Sequence, residues 1–190
     1  MIFEKAKEFI LEKLDRELPQ QLMYHDMRHI LDVYQAAINY ATLEQVNDED
    51  TILLKTASLF HDCGFIIQAE NHEAISCQIA EEILVQFDYS PEQIQKIKGM
   101  IMATRIPQTP TNHLEEILAD ADLDYLGRDD FEEISERLFK ELNFSNRNDW
   151  NKIQISFFEK HNYFTKSAET LRNAKKQENL EQIIAQTKFN

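Results

Sequence analysis

Apolar residues recur at helical spacing along most of this sequence, and no apolar run sustains a period-two alternation. That pattern argues against half-buried strands and for packed amphipathic helices. Residues 2–18 place Phe3, Ala6, Phe9, Ile10, Leu14 and Leu18 on one face, up to Pro19. Ile30, Val33, Tyr34, Ala37, Ile38 and Ala41 repeat the pattern over 27–46, and Asn47-Asp48 caps an apolar helix over 50–62. Further helices are predicted over 71–87, 90–104, 114–126, 131–142, 150–158 and 168–184. Ser90-Pro91-Glu92-Gln93 has a capping Ser, Pro at the first helical position and Gln three residues past the cap. Gly127 is expected to end its helix as a C-terminal glycine. With 3 Gly and 4 Pro in 190 residues, the chain has little material for the tight turns of a sheet protein. The expected fold is all-α, a bundle of about eight or nine helices. No linker or repeat divides it, so one domain is expected over 1–190, with the last 25 residues less well packed.

The formal charge of −14 and a pI near 4.8 argue against nucleic acid and anionic membrane surfaces as partners. Binding a phosphate backbone needs clustered Lys and Arg, which this sequence lacks. There is no cationic-then-apolar leader and no apolar stretch long enough to span a bilayer, so a cytoplasmic protein is expected. Cys63 and Cys77 have no metal or redox spacing and are read as partly buried, reduced thiols.

The chemistry centres on Leu59-Phe60-His61-Asp62-Cys63-Gly64, which closes the apolar run of 52–60. An imidazole and a carboxylate at the end of a buried helix need a partner, because burying either unpaired is costly. A divalent metal suits both. Gly64 is expected to permit the turn that follows. By itself the dipeptide is weak evidence, since a capping or surface aspartate beside a satisfied histidine explains it better, and His25-Asp26 repeats it. Upstream stands Tyr24-His25-Asp26-Met27-Arg28-His29, whose two histidines share a face if the helix has begun. Downstream stands Leu118-Ala119-Asp120-Ala121-Asp122-Leu123-Asp124-Tyr125-Leu126-Gly127, three acids in an apolar helix. Asp122 falls among the apolar positions there, whereas Asp124 can lie on a solvated face.

In this order, Tyr-His-x-x-x-His, then an apolar helix ending in Phe-His-Asp, then Asp-Ala-Asp-Leu, the sequence resembles the HD-domain superfamily of metal-dependent phosphohydrolases, and more narrowly its small bacterial members. The match covers about residues 22–128 and leaves 129–190 as a C-terminal helical extension. The resemblance implies four metal ligands, His29, His61, Asp62 and Asp122, with Asp122 preferred to Asp120. It implies one divalent ion (Mn, Fe, Ni, Co, Zn or Mg), with a second possible. It places His25 where a histidine can protonate a leaving group, against the alternative that His25 packs or caps a helix start. His72 falls where two-metal relatives supply a ligand. The region Ala103-Thr104-Arg105-Ile106 lacks the further histidines of those relatives, so one metal is favoured and His72 could hold a water or phosphate.

Arg105 is the candidate phosphate contact, with Arg28 and Arg128 behind it, although a surface ion pair is the better account of each. His113 and His161 are read as structural or exposed, and the Phe157-Phe158 and Tyr163-Phe164 clusters as core. Cys63 is not expected to be a nucleophile. The expected function is metal-dependent hydrolysis of a small phosphate ester or nucleotide. A non-catalytic metal- or nucleotide-binding regulator is the alternative, and an iron-dependent oxygenase ranks third.

Overall fold

The computed structural model describes residues 1–188, and among these it has nine α-helices and no strand. The helices are α1 (Phe3–Glu17), α2 (Met27–Leu43), α3 (Asp48–Phe60), α4 (His72–Leu84), α5 (Pro91–Ala103), α6 (His113–Asp122), α7 (Phe131–Glu141), α8 (Arg147–Lys160) and α9 (Lys166–Lys188). Three short 3-10 turns, Cys63–Ile66, Val85–Phe87 and Asp124–Gly127, sit between them. The all-α expectation holds, and the predicted segments match the helices with small end shifts.

Caps explain several of those ends. Asp26 accepts from the backbone N–H of Arg28 and His29, so α2 begins at Met27. His25 therefore precedes the helix and shares no helical face with His29. The His25-Asp26 pair is a capping pair, and His61-Asp62 is not. Asn47, Ser90 and Asn112 cap α3, α5 and α6 by the same side-chain mechanism.

The main core lies between α1 and α6. α2 packs on α3 and α6, while α5 packs on α3, α4 and α6. Fully buried Ile10, Ile30, Leu53, Leu54, Phe60, Ile97 and Ile101 fill this space. A second apolar cluster joins Tyr24, Tyr125, Phe131, Ile134, Phe158 and Ile183, drawn from the loop before α2, the Asp124–Gly127 turn and α7 to α9.

Within the last 25 residues Ala168, Asn179 and Ile183 are buried and most other described positions are partly or fully exposed, but polar contacts anchor α9; residues 189–190 lie outside the described residues. Asp120 accepts from the backbone N–H of Phe164 (2.9 Å) and Thr165 (2.8 Å) and from the Thr165 hydroxyl (2.7 Å), which fixes the start of α9. Asn179 donates to the carbonyls of Leu126 and Arg128. Arg172 makes a two-pronged pair with Asp124, at 2.7 and 3.0 Å, and the Tyr40 hydroxyl donates to the same carboxylate. Asp124 is thus a buried cross-link between α2 and α9, not part of a solvated face.

Two glycines act through space, because none in the chain has positive φ. A Cβ on Gly64 would stand 2.1 Å from the His72 carbonyl oxygen, and one on Gly127 would stand 2.5 Å from Arg172. Gly127 is therefore not a left-handed helix cap, and Gly64 is a point of close approach rather than of unusual φ. The Gly64 N–H also donates to Ser76 Oγ at 2.8 Å. Together these hold the turn after Asp62 against the start of α4.

Two stability losses follow. Asp120→Ala leaves two buried backbone donors unpaired and is expected to cost about 2–4 kcal/mol. Gly64→Ala forces backbone apart and is expected to cost about 2–3 kcal/mol. Urea denaturation reads both, as a lowered midpoint at unchanged slope.

Candidate metal centre

The four side chains implied as ligands meet at one point from three parts of the fold. His29 lies in the first turn of α2, oriented by the Asp26 cap. His61 follows the last residue of α3, and its Nδ1 lies 2.7 Å from the Ser58 carbonyl oxygen. Asp62 is the next residue, and Asp122 ends α6. The ligand atoms of His29, His61 and Asp122 all lie within 4.8 Å of one another. His29 Nε2 is 3.2 Å from Asp122 Oδ1 and 3.3 Å from Asp62 Oδ2, while His61 Nε2 is 3.5 and 3.3 Å from the same two oxygens. The two Nε2 atoms are 3.2 Å apart.

Hydrogen positions can be argued from these contacts. A carbonyl only accepts, so His61 Nδ1 must carry a proton and donate to Ser58. In the neutral ring, His61 Nε2 then turns a lone pair toward two carboxylates and another imidazole. Asp62 is 3 % exposed, and its Oδ2 is buried with no hydrogen-bond partner. Lone pairs converging on a buried point repel one another unless a cation lies among them.

Electrostatics tell the same story in the protein alone. Burial disfavours charge on His29 and His61, yet Asp122 and Asp62 outweigh it and raise both imidazoles above the ordinary histidine value. Burial likewise opposes charge on Asp122, and the two imidazoles overcome it, holding the carboxyl down to about 2. Asp62 is held low by the same neighbours together with His72. Asp120, with no cation beside it, is pushed up to about 6 by burial. Of the three acids in the 118–127 segment, Asp122 alone faces the histidines, while Asp120 and Asp124 hold α9.

The remaining sequence candidates divide. His72, the first residue of α4, places Nε2 3.2 Å from Asp62 Oδ1 and Nδ1 3.0 Å from the Ala69 carbonyl oxygen. It thus meets the carboxylate oxygen turned away from the other imidazoles. His25 stacks on Phe65, with ring centroids 4.2 Å apart, and its Nδ1 pairs with Glu141 Oε1. Glu141, at the end of α7, also accepts from the backbone N–H of Met23, Tyr24 and His25. Burial works against its charge, but the His25 imidazole and those donors hold it down to about 2. Sequence reasoning missed Glu141, which belongs to no motif and lies 116 residues from its partner.

Arg105 is exposed, reaches Asn71 Oδ1 at 3.4 Å and is absent from the cavity wall described below. Arg28 pairs with Asp26, and Arg128 with Asp32 and Asp130. His161 is packed against Phe157 and Tyr163 with neither nitrogen hydrogen-bonded, and burial lowers its pKa to about 3. His113 is exposed, between Glu44 and Glu116. Cys63 and Cys77 are free thiols, pushed up by burial to about 12 and about 11.

A cavity of about 290 Å³ opens beside the four side chains, with Asp62, His72, Glu73, Asp122 and His25 at one end. Its far wall comes from α7 and α8, including Phe157 and Phe158, so these rings line a cavity as well as the core. No helix among the described residues is long and apolar enough to cross a membrane.

No family model matches the chain. An uncharacterized protein of Clostridium beijerinckii is 33 % identical over 92 residues, which are 47 % of this chain and 58 % of that protein. The crystal structure of a predicted HD superfamily hydrolase from an uncultured Thermotogales bacterium matches with a TM-score of 0.65 at 20 % identity. That match covers 94 % of this chain and 91 % of the other. The helical architecture around His29, His61, Asp62 and Asp122 is therefore one that this chain shares with that solved structure.

Proposed function

We propose that this chain is a metal-dependent phosphohydrolase that cleaves a small phosphate ester. The observation that carries the reading is the buried Asp62 Oδ2, unpartnered and 3.3 Å from the Nε2 atoms of both His29 and His61. Two imidazoles and two carboxylates are a donor set that first-row divalent ions and magnesium accept. His29, His61, Asp62 and Asp122 would hold the ion. When bound, it would lower the pKa of a coordinated water and draw charge from phosphoryl oxygens.

The protein's own residues supply the rest. The Ser58 carbonyl keeps the proton of His61 on Nδ1 and leaves Nε2 free to ligate, the usual outer-sphere arrangement of a metal-binding histidine. His72 braces the far oxygen of Asp62. Glu141 fixes the His25 ring by pairing with its Nδ1. His25 Nε2 can then give a proton to the ester oxygen as the phosphorus–oxygen bond breaks and a water oxygen bonds to phosphorus. Burial of the cluster on α2, α3 and α6 keeps these groups rigid.

Elemental analysis of purified protein is expected to find about one divalent metal per chain, lost in Asp122→Asn and in the His61→Ala/Asp62→Ala double variant. Equal metal in all three proteins would sink the assignment. About two ions per chain would make His72 a ligand through Asp62 Oδ1. Metal binding should also release protons at neutral pH, because His29 and His61 are raised above 6.5 in the metal-free protein and the metal takes their place. Affinity should accordingly fall as the pH is lowered, and calorimetry in two buffers of different ionisation enthalpy counts the protons.

With metal bound, His25→Gln is expected to lower kcat on a phosphate monoester by about 100-fold and Glu141→Gln by about tenfold, both at unchanged metal content. A wild-type protein that binds metal and turns over no phosphoester would be a binding module instead.

A further inference from the structure

The cavity beside the metal centre has an unusual lining for a site that is to receive a phosphate ester. Apart from the histidines and carboxylates at its inner end, its wall is mostly apolar, with Tyr24, Thr104, Tyr125, Ser135 and Gln154 among its few other polar side chains, and it contains no Lys or Arg among the described residues. Phe131, Leu138, Trp150, Phe157 and Phe158 form the far side. Ile106, Leu142 and Ile153 are also in the lining and are 52 %, 51 % and 49 % exposed, so the apolar surface continues out to solvent. Large apolar side chains exposed together at a cavity mouth mark a binding surface.

The polar side chains of the far wall are turned to one another. Trp150 Nε1 donates to Ser135 Oγ at 3.1 Å, and Ser135 Oγ donates to Gln154 Oε1 at 2.5 Å. Thr104 Oγ1 donates to the Ile101 carbonyl oxygen at 2.8 Å. A ribose or a base would need hydrogen-bond partners that these groups already supply to each other, and burying such groups unpaired is costly. Second and third phosphates would need cations, and the nearby ones are engaged elsewhere. Arg28, Arg128 and Arg137 line a separate groove behind Tyr24, each paired with an aspartate.

We propose that this cavity binds an apolar alkyl or aryl group, and that the substrate is a phosphate monoester of an apolar alcohol rather than a nucleotide. This rests on the phosphohydrolase reading above for the ester, but not for the apolar ligand. The phosphate meets the ion, His25 and His72 at the inner end. The alcohol's carbon skeleton lies along α7 and α8 toward the mouth.

The test uses two readouts. The chain has a single tryptophan, Trp150, which is 4 % exposed and in the cavity wall, so its emission reports occupancy directly. Titration of the metal-loaded protein with 1-hexanol should shift or quench that emission saturably, and methanol should not. Along methyl, propyl and hexyl phosphate, kcat/KM should rise about three- to fourfold per methylene, the ratio that the transfer free energy of a methylene sets. Adenosine 5′-monophosphate and its triphosphate should be poorer than hexyl phosphate by at least tenfold. Ile153→Asp, at the exposed rim where the fold tolerates a charge, should cut the hexyl-to-methyl preference at least fivefold while metal content stays at the wild-type level.

A flat chain-length profile, a preference for the nucleotides, or Trp150 emission indifferent to hexanol would overturn the proposal and leave the phosphohydrolase reading standing. Saturable hexanol binding without turnover of any ester would do the reverse, keeping the apolar ligand and removing the hydrolase.

Discussion

The structure depends on one unfavourable meeting, two imidazoles and two carboxylates turned toward a common buried point. Three helices meet around it, α2 beginning there and α3 and α6 ending there. The hydrogen bond from His61 Nδ1 to the Ser58 carbonyl is the feature that sets its sign. It supplies a helix-end carbonyl with a donor, which any α3 terminus would need. In doing so it commits Nε2 to being an acceptor, facing other acceptors. Without a cation, the imidazoles are the groups that favour taking up a proton, because Asp62 and Asp122 raise both of them while the imidazoles hold Asp122 ionised.

The segment from Asp120 to Asp124 shows how that point is supported. Three acids two residues apart cannot share one environment on a helix that is ending, and each takes a separate task. Asp120 holds the start of α9, Asp122 faces the histidines, and Asp124 binds Tyr40 of α2 and Arg172 of α9. The C-terminal helix is thus fastened on both sides of the residue that faces the metal centre. Gly127 completes the arrangement, because a Cβ would push Arg172 away and loosen its hold on Asp124.

The four clustered side chains were legible in the sequence because each stands at a helix end and in a short ordered motif. The helical spacing that fixed the all-α fold was legible for the same local reason. What could not be read was tertiary. Glu141 is ordinary in its own helix, and becomes a partner of His25 only when α7 crosses the entry to α2. His25 would share a face with His29 only if the helix had already begun, but Asp26 caps the helix between them and stacking on Phe65 sets its position. Arg105 is adjacent in sequence to cavity residues Thr104 and Ile106, yet its own side chain turns outward to Asn71. One residue of register decides such cases, and periodicity fixes register no better than that. The packing of α9 was equally hidden, because buried Asn179 and half-buried Arg172 serve as polar anchors in a segment whose composition suggests a solvated tail.

The net charge of −14 and the apolar cavity belong to one argument about selectivity. A protein this acidic repels anions at long range, and a wall without Lys or Arg offers them nothing at short range. A metal ion and two histidines at the inner end would then be the local source of positive charge, enough for one phosphoryl group and poorly matched to three. Affinity for the remainder of the ligand would have to come from apolar area, which the aromatic faces of α7 and α8 provide. Those helices lie outside the segment that carries the histidine and aspartate motifs. On the proposed reading, the inner end of the cavity would set the reaction, and the C-terminal extension what is brought to it.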